Sequence, residues 1–134
     1  MSKKIVITGG LGYIGTELCK IYSGVSWNNE ILVIDNRFVS ERVSQLRNWG
    51  IDFVHGDILD KDLVNRYCKD ADIVHHLAGI TDVPRLKSES SDDKDAKIKL
   101  VAKEGTQNIL DAISDKCKII FPSTHVVYEG IEKV

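Results

Sequence analysis

Between Ile5 and Leu18 the chain reads IVITGGLGYIGTEL: a short β-branched run, four glycines, and a segment with helical spacing. No other stretch limits the fold as strongly. A glycine turn set directly between a strand and a helix suits a parallel βαβ unit, because the backbone must leave the strand sharply and the helix must lie close on the sheet. Four further β-rich runs follow at residues 31–34, 51–54, 73–77 and 118–121. Helical periodicity fills the gaps: Ile14, Leu18 and Ile21; Val39, Val43 and Leu46; Leu63, Val64 and Tyr67; then Ile98, Val101, Ala102, Gly105, Ile109 and Ile113. Strictly alternating strands and helices predict an α/β protein with a doubly wound parallel sheet, five strands in the order 3-2-1-4-5 and helices on both faces. With 134 residues, the span 1–134 makes one domain, too short for separate cofactor and substrate lobes.

Charge and cysteines narrow the function classes. Eighteen Lys and Arg against twenty Asp and Glu give a net charge of −2, so no global field favours nucleic acid or an anionic membrane. Cys19, Cys68 and Cys117 cannot all pair within one chain and fall in apolar-periodic segments, which suits packed thiols in a reducing, cytoplasmic compartment. MSKKIVIT runs straight into the first strand with no leader, and no apolar run nears the roughly 20 residues of a membrane span, so a soluble protein is expected. His75 and His76 alternate on one strand and point to opposite faces, and with His55 and His125 far off in sequence no metal site is expected. Trp27 and Trp49 flank helix-to-strand turns and are expected to cover sheet edges. PRLKSESSDDKDAK, residues 84–97, reads as a solvated loop passing into the fourth helix, with Ser90 as a candidate N-cap and Asp93 three residues on; a flap over a ligand is the alternative.

Gly9, Gly12 and Gly15 stand in G-x-x-G-x-x-G spacing. Gly9 is expected to make the turn off the strand, Gly12 to let a pyrophosphate approach the backbone, and Gly15 to let the helix pack on the sheet. The N–H groups of the first helical turn, at Tyr13 and Ile14, then face the phosphates. Asp35 closes the second strand run 20 residues beyond Gly15, where a carboxylate can accept hydrogen bonds from an adenosine ribose. Together these make a Rossmann-like dinucleotide fingerprint. A carboxylate at the ribose would repel an extra phosphate, so NAD is favoured over NADP; Arg37 is either a solvated surface group or a cation for that phosphate.

The chain resembles the extended short-chain dehydrogenases/reductases, in particular the NAD-dependent epimerase/dehydratase group acting on nucleotide sugars. The resemblance is carried by TGGLGYIG, VIDN, HGDILD, HHLAG, GTQNILDA and FPSTHVVYEG in that order. It implies that Asn36 lies beside Asp35 in the cofactor site, that Asp57 and Ile58 meet the adenine, and that Leu77, Ala78 and Gly79 line the path to the nicotinamide. It makes Thr124, four residues before Tyr128, the catalytic hydroxyl that holds the substrate oxygen, with a strand-end residue satisfied by backbone as the plain alternative. The family's proton carrier is a tyrosine of a Tyr-x-x-x-Lys pair. Here Tyr13, Tyr22, Tyr67 and Tyr128 are followed four residues on by Glu17, Ser26, Ala71 and Glu132, so the 134 residues contain no such pair. The Rossmann-like sheet is thus expected to be incomplete relative to the family, the sugar-binding lobe absent, and the chain either the N-terminal portion of a longer enzyme or a natural truncation. The resemblance implies a nucleotide-sugar substrate for the complete protein and leaves room for a homodimer. A non-catalytic NAD(P)-binding sensor, which needs no proton relay, is the competing reading.

Overall fold

The computed structural model describes residues 2–25, 28–80 and 92–123. Thr124, His125, Tyr128, Trp27, Ser90 and the stretch 81–91 lie outside the described residues.

Strand β1 (Lys4–Thr8) leads through the glycine loop into α1 (Tyr13–Ser23), followed by β2 (Glu30–Asp35), α2 (Ser40–Asn48), β3 (Asp52–His55), α3 (Lys61–Cys68) and β4 (Ile73–His76). Then come α4 (Asp92–Leu100), a π-helical turn (Val101–Gly105), α5 (Thr106–Ala112) and β5 (Lys118–Ile120). All pairings are parallel and the strand order is β3-β2-β1-β4-β5, as the alternation predicts. β1 lies at the centre, and the direction of winding reverses there. Ligands of open α/β sheets bind outside the carboxyl ends of the strands at such a reversal.

Both sheet faces are apolar, which suits parallel strands covered on two sides. Ile5, Ile7, Ile31 and Val33 meet Leu11, Cys19, Val43 and Leu46 on the α1–α2 face, with Trp49 packed against them. Val6, Leu32, Ile34 and Val74 meet Ile58, Val64, Cys68 and Ile109 on the other. Burying a side chain of this size contributes about 1.5–3 kcal/mol relative to leaving it in water, so these contacts hold the layers together. The predicted fourth helix is continuous from Asp92 to Ala112 but carries the π turn at its middle. There Gly105 presses on Ile58; an added Cβ would lie 2.3 Å from the Ile58 Cδ1 atom.

Helix α1 departs from the expected packing. Periodicity assigned Ile14, Leu18 and Ile21 to its core stripe, but Ile14 and Ile21 are 65% and 64% exposed. The helix buries Gly15 and Cys19 instead, with Leu18 and Tyr22 half-buried beside them. The reason is steric. At Gly15 the helix backbone sits so near the glycine loop that an added Cβ would be 2.5 Å from the Gly10 Cα atom, and this contact turns the Gly15–Cys19 line inward.

Candidate functional site

The glycine loop crosses the carboxyl end of β1. Gly9 has φ of +69°, and a Cβ on it would stand 2.8 Å from both Cα and N of Ala78. The protein's own packing therefore demands glycine at positions 9 and 15. Gly12 differs. Its φ of −74° and ψ of 178° are open to any residue, and a Cβ would meet only the Gly9 carbonyl oxygen at 3.3 Å and an Arg37 Nη2 at 3.7 Å. Gly12 is also the N-cap of α1, which has no side-chain cap and no acidic residue in its first turn. The partial positive charge of that helix end is left for an anion from outside, beside an arginine. Tyr13, 87% exposed, and Ile14 stand at this mouth.

One set of contacts grips the loop from the α1–α2 face. Asp35 is buried at the end of β2, where its carboxylate accepts from the Leu11 N–H at 3.0 Å, the Arg37 N–H at 3.0 Å and the Arg37 Nε at 3.5 Å. Arg42, from α2, donates to the Leu11 carbonyl and lies 5.7 Å from the Tyr13 ring centre. Asp35 thus shapes the loop as well as standing where a ribose is expected. Arg37, whose side chain is 59% exposed, is a largely solvated group that reaches back to Asp35 beside the loop mouth. Neighbouring Asn36 is exposed, and its carbonyl accepts from the His55 Nε2 at 2.9 Å.

A second set grips the strand ends from the α3–α5 face. The Leu77 N–H donates to the Thr8 carbonyl at 3.1 Å, and the Ala78 N–H donates to the Thr8 hydroxyl at 3.1 Å. The same hydroxyl lies 2.8 Å from the His76 Nδ1, and the His76 Nε2 lies 3.0 Å from the Thr106 hydroxyl on α5. Burial holds the His76 pKa below the ordinary imidazole value. His75 faces the other way, as the alternation predicts, with its Nε2 2.7 Å from the Tyr22 hydroxyl; burial likewise lowers its pKa and raises that of Tyr22.

The remaining sequence candidates are spread along the same end of the sheet. Asp57 is half-buried and accepts from the Leu59 N–H at 2.9 Å, which shapes its own turn. Ile58 turns its side chain into the core, and its carbonyl accepts from Asn108 at 2.9 Å, so little but the edge of this turn is left for a base. Leu77 and Ala78 are half-buried and Gly79 is exposed beyond β4. Thr8, Arg42 and Thr106 were not singled out from sequence, and His76 only as facing away from His75. Thr8 and His76 stood in the quoted motifs, but their pairing needs the β1–β4 register that only the fold supplies. Among the described residues no group of three or more His, Cys, Asp or Glu gathers as a metal site. Cys19 and Cys68 are buried thiols with pKa values pushed up to about 11 by burial, and Cys117 is free as well.

A parallel sheet in this order, with an uncapped helix start set among glycines at its reversal point, is a Rossmann-like doubly wound α/β fold. The chain belongs to the 3-beta hydroxysteroid dehydrogenase/isomerase family, whose model matches residues 6–133. Its relatives include a CDP-paratose 2-epimerase from Salmonella typhi, 32% identical over 97% of this chain and 39% of that protein. Among solved structures, the chain is similar to the dTDP-glucose 4,6-dehydratase of Streptomyces venezuelae with NAD and TYD bound, at 25% identity and a TM-score of 0.66, covering 81% of this chain and 35% of that one. A UDP-glucose-4-epimerase from Stenotrophomonas maltophila with bound NAD and formylated UDP-arabinopyranose shares the fold at a TM-score of 0.72 and 24% identity, covering 94% of this chain and 38% of that one. The chain thus spans well under half the length of the curated relatives it matches. No helix among the described residues is long and apolar enough to cross a membrane.

Proposed function

We propose that the loop end of the sheet binds NAD and that the chain is the cofactor-binding part of a nucleotide-sugar epimerase or dehydratase. The observation that carries this reading is the contrast between Gly12 and its neighbours. Gly9 and Gly15 are glycines because backbone atoms would lie within 3 Å of an added Cβ, whereas at Gly12 the nearest atom, the Gly9 carbonyl oxygen, would lie 3.3 Å away, so the protein's own atoms press on Gly12 less. A pyrophosphate fits there, against the first-turn N–H groups of Tyr13, Ile14 and Gly15, with the Arg37 guanidinium close by. Asp35, Asn36, Asp57 and the Ile58 edge fall on the side of β2 and β3 and suit an adenosine; Leu77, Ala78 and Gly79 fall beyond β4 and suit the nicotinamide end. When bound, that ring supplies a hydride acceptor. The residues of this chain bind it, orient it and fix the strand ends beneath it.

The family's description names a steroid, whereas most of the relatives carry the names of nucleotide-sugar enzymes and one is an uncharacterized membrane protein of Methanocaldococcus jannaschii, so the cofactor end is the part on which the reading rests. The nucleotide sugar is favoured by the curated relatives. Thr124 is the hydroxyl of this chain that would hold a sugar oxygen as it becomes a carbonyl; a hydroxyl can orient and hydrogen-bond there without competing as a base. The proton carrier must come from outside these 134 residues, which lack Tyr-x-x-x-Lys, so the chain by itself is expected to show no turnover of UDP- or dTDP-hexoses. The preference for NAD over NADP rests on the Asp35 carboxylate at the ribose position, which would repel an added phosphate, and Arg37 beside it works against that preference.

Calorimetric titration with NAD and NADP tests this. Wild-type protein should bind NAD more tightly, and Gly12→Val should keep its fold, since its backbone is relaxed, while losing NAD. Tighter NADP binding, or a Gly12→Val protein that binds NAD normally, would contradict the reading. Turnover that followed the purified chain would show that it needs no outside proton carrier.

A further inference from the structure

The hydrogen-bond directions around His76 follow from what each partner can offer. Thr8 is fully buried, and its hydroxyl oxygen already accepts from the Ala78 N–H. Among the described residues its only other polar contact is the His76 Nδ1 at 2.8 Å. Among the described residues that nitrogen is the acceptor open to the Thr8 hydroxyl proton, which leaves Nδ1 as a lone-pair acceptor. The ring's proton then sits on Nε2 and is donated to the Thr106 hydroxyl at 3.0 Å. The reverse tautomer would leave a buried hydroxyl proton with no acceptor, and so would a charged ring. From β1 the group facing His76 is Thr8, from α5 it is Thr106, and from the end of β5 it is the Phe121 ring, with centroids 5.6 Å apart; none carries a charge. His75, next on β4, faces Tyr22 on the opposite side of the sheet.

These partners belong to separate pieces of the proposed crevice. Thr8 immediately precedes the crowded Gly9 turn, and Ala78 lies on the nicotinamide side. Phe121 stands three residues before Thr124 in the chain. We propose that His76 is a positioning residue of the cofactor crevice: as the neutral Nε2–H tautomer it ties the glycine loop, through Thr8, to the Leu77–Gly79 strand end and, through Thr106 and Phe121, to α5 and to the end of β5. This rests on the proposed binding of NAD and goes beyond it, because it assigns the crevice's geometry to one buried ring that need not touch the cofactor. NAD affinity then depends on that ring staying neutral. Protonation would convert Nδ1 to a donor, turn the Thr8 proton away from its acceptor among the described residues, and loosen the hold on Ala78. Burial keeps the ring neutral at pH 7, and affinity weakens only in acid.

The full chain, labelled with 15N-histidine, supplies the first test. At pH 7.5 the His76 Nδ1 should show the nitrogen shift of an unprotonated imidazole nitrogen and Nε2 that of a protonated one. The opposite tautomer, or a charged ring, would overturn the proposal without any variant. Paired variants supply the second, since an asparagine amide oxygen can reach the Nδ1 place and a glutamine amide nitrogen the Nε2 place. His76→Asn keeps the acceptor for Thr8 and should bind NAD within about threefold of wild type at pH 7, and as pH is lowered below 6.5 it should lose less affinity than wild type for as long as both stay folded. His76→Gln strands the Thr8 proton and should weaken binding about tenfold or more. Equal losses in the two variants, or an acid-dependence of affinity left unchanged by His76→Asn, would overturn it. Should substitution at the ring itself unfold the protein, Thr106→Ser against Thr106→Val gives the same contrast from the other end: serine should retain NAD affinity and valine lose several-fold, and equal behaviour contradicts the role. A wild-type chain that binds no NAD at all would instead defeat the cofactor reading, whichever tautomer the spectrum showed.

Discussion

On the face covered by α1 and α2, a buried carboxylate and two arginines fix the glycine loop; on the face covered by α3 and α5, an uncharged run of threonine, histidine and threonine fixes the strand ends beneath it. The charged clamp acts on backbone that has no ladder partners. The Leu11 N–H and C=O lie in a turn, and only side chains can satisfy them. The neutral clamp acts where the ladder already ends in order, and it has only to join β1 to β4 and α5. A charge in that position would have to be paired or neutralised, because Thr8 and His76 are almost wholly shielded from water. The difference indicates that the loop's shape depends on charge at its solvent side and on neutrality at its core side.

The largest effect should come from breaking the feature that the two clamps share. Gly15→Val forces a Cβ to within 2.5 Å of the Gly10 Cα atom, so the loop cannot stay in either clamp. The loss should reach about 3 kcal/mol or more in urea unfolding, and a loss below 1 kcal/mol would mean that the loop can shift freely.

Asp35→Ala attacks the charged clamp alone and leaves the Leu11 and Arg37 N–H groups without their acceptor. A cost of about 2–3 kcal/mol is expected, with Asp35→Asn clearly milder because it keeps one oxygen. Equal losses in the two would show that one neutral oxygen does not serve and that the loop requires the charged carboxylate; an Asp35→Asn protein as stable as wild type would show that the charge is not what the loop requires.

The neutral clamp should reveal itself through pH. His75 and His76 have folded-state pKa values lowered from 6.5 by burial, so the unfolded chain takes up protons that the folded chain refuses. The stability they contribute is fully present above about pH 6.5 and is lost as pH falls from there through the lowered folded values. His76→Asn should flatten part of this slope in chemical unfolding between pH 7 and pH 5, leaving the share due to His75. An unchanged slope would place the whole effect on the Tyr22–His75 pair.

The smallest effect should come from outside both clamps. Ile21→Ser on the exposed side of α1 should change stability by about 0.5 kcal/mol or less, whereas Cys19→Ser on the buried side of the same helix should cost about 1–2 kcal/mol in the same unfolding series. A reversed order would restore the apolar stripe that periodicity assigned to this helix.

Strand order and the layer architecture were legible in the sequence because buried parallel strands are continuous β-branched runs, and their alternation with helices leaves few windings. Gly9, Gly15 and Asp35 were legible because backbone demands of a tight turn leave a spacing that can be counted. Hydrophobic periodicity misplaced the core stripe of α1 because it gives a buried glycine no weight, and Gly15 is the residue that sets how the helix sits. The Thr8–His76–Thr106 run was illegible for another reason. Its members are 68 and 30 residues apart, and nothing local marks a hydroxyl that will meet an imidazole across a strand register. Ile58 was assigned to the cofactor by resemblance, while its side chain packs on Gly105; a motif string does not say which way a side chain turns.

The central claim, that the glycine loop and the strand ends beside it form one NAD crevice, is tested most directly by following backbone amide resonances of the 15N-labelled chain during titration with NAD. The account predicts saturable shifts at Gly9 to Gly15, at Asp35 to Arg37 and at Leu77 to Gly79, all with a single dissociation constant. Shifts that fail to saturate, or that gather on the outer side of α1 around Glu17 and Ile21 and spare Gly12 and Ala78, would contradict it.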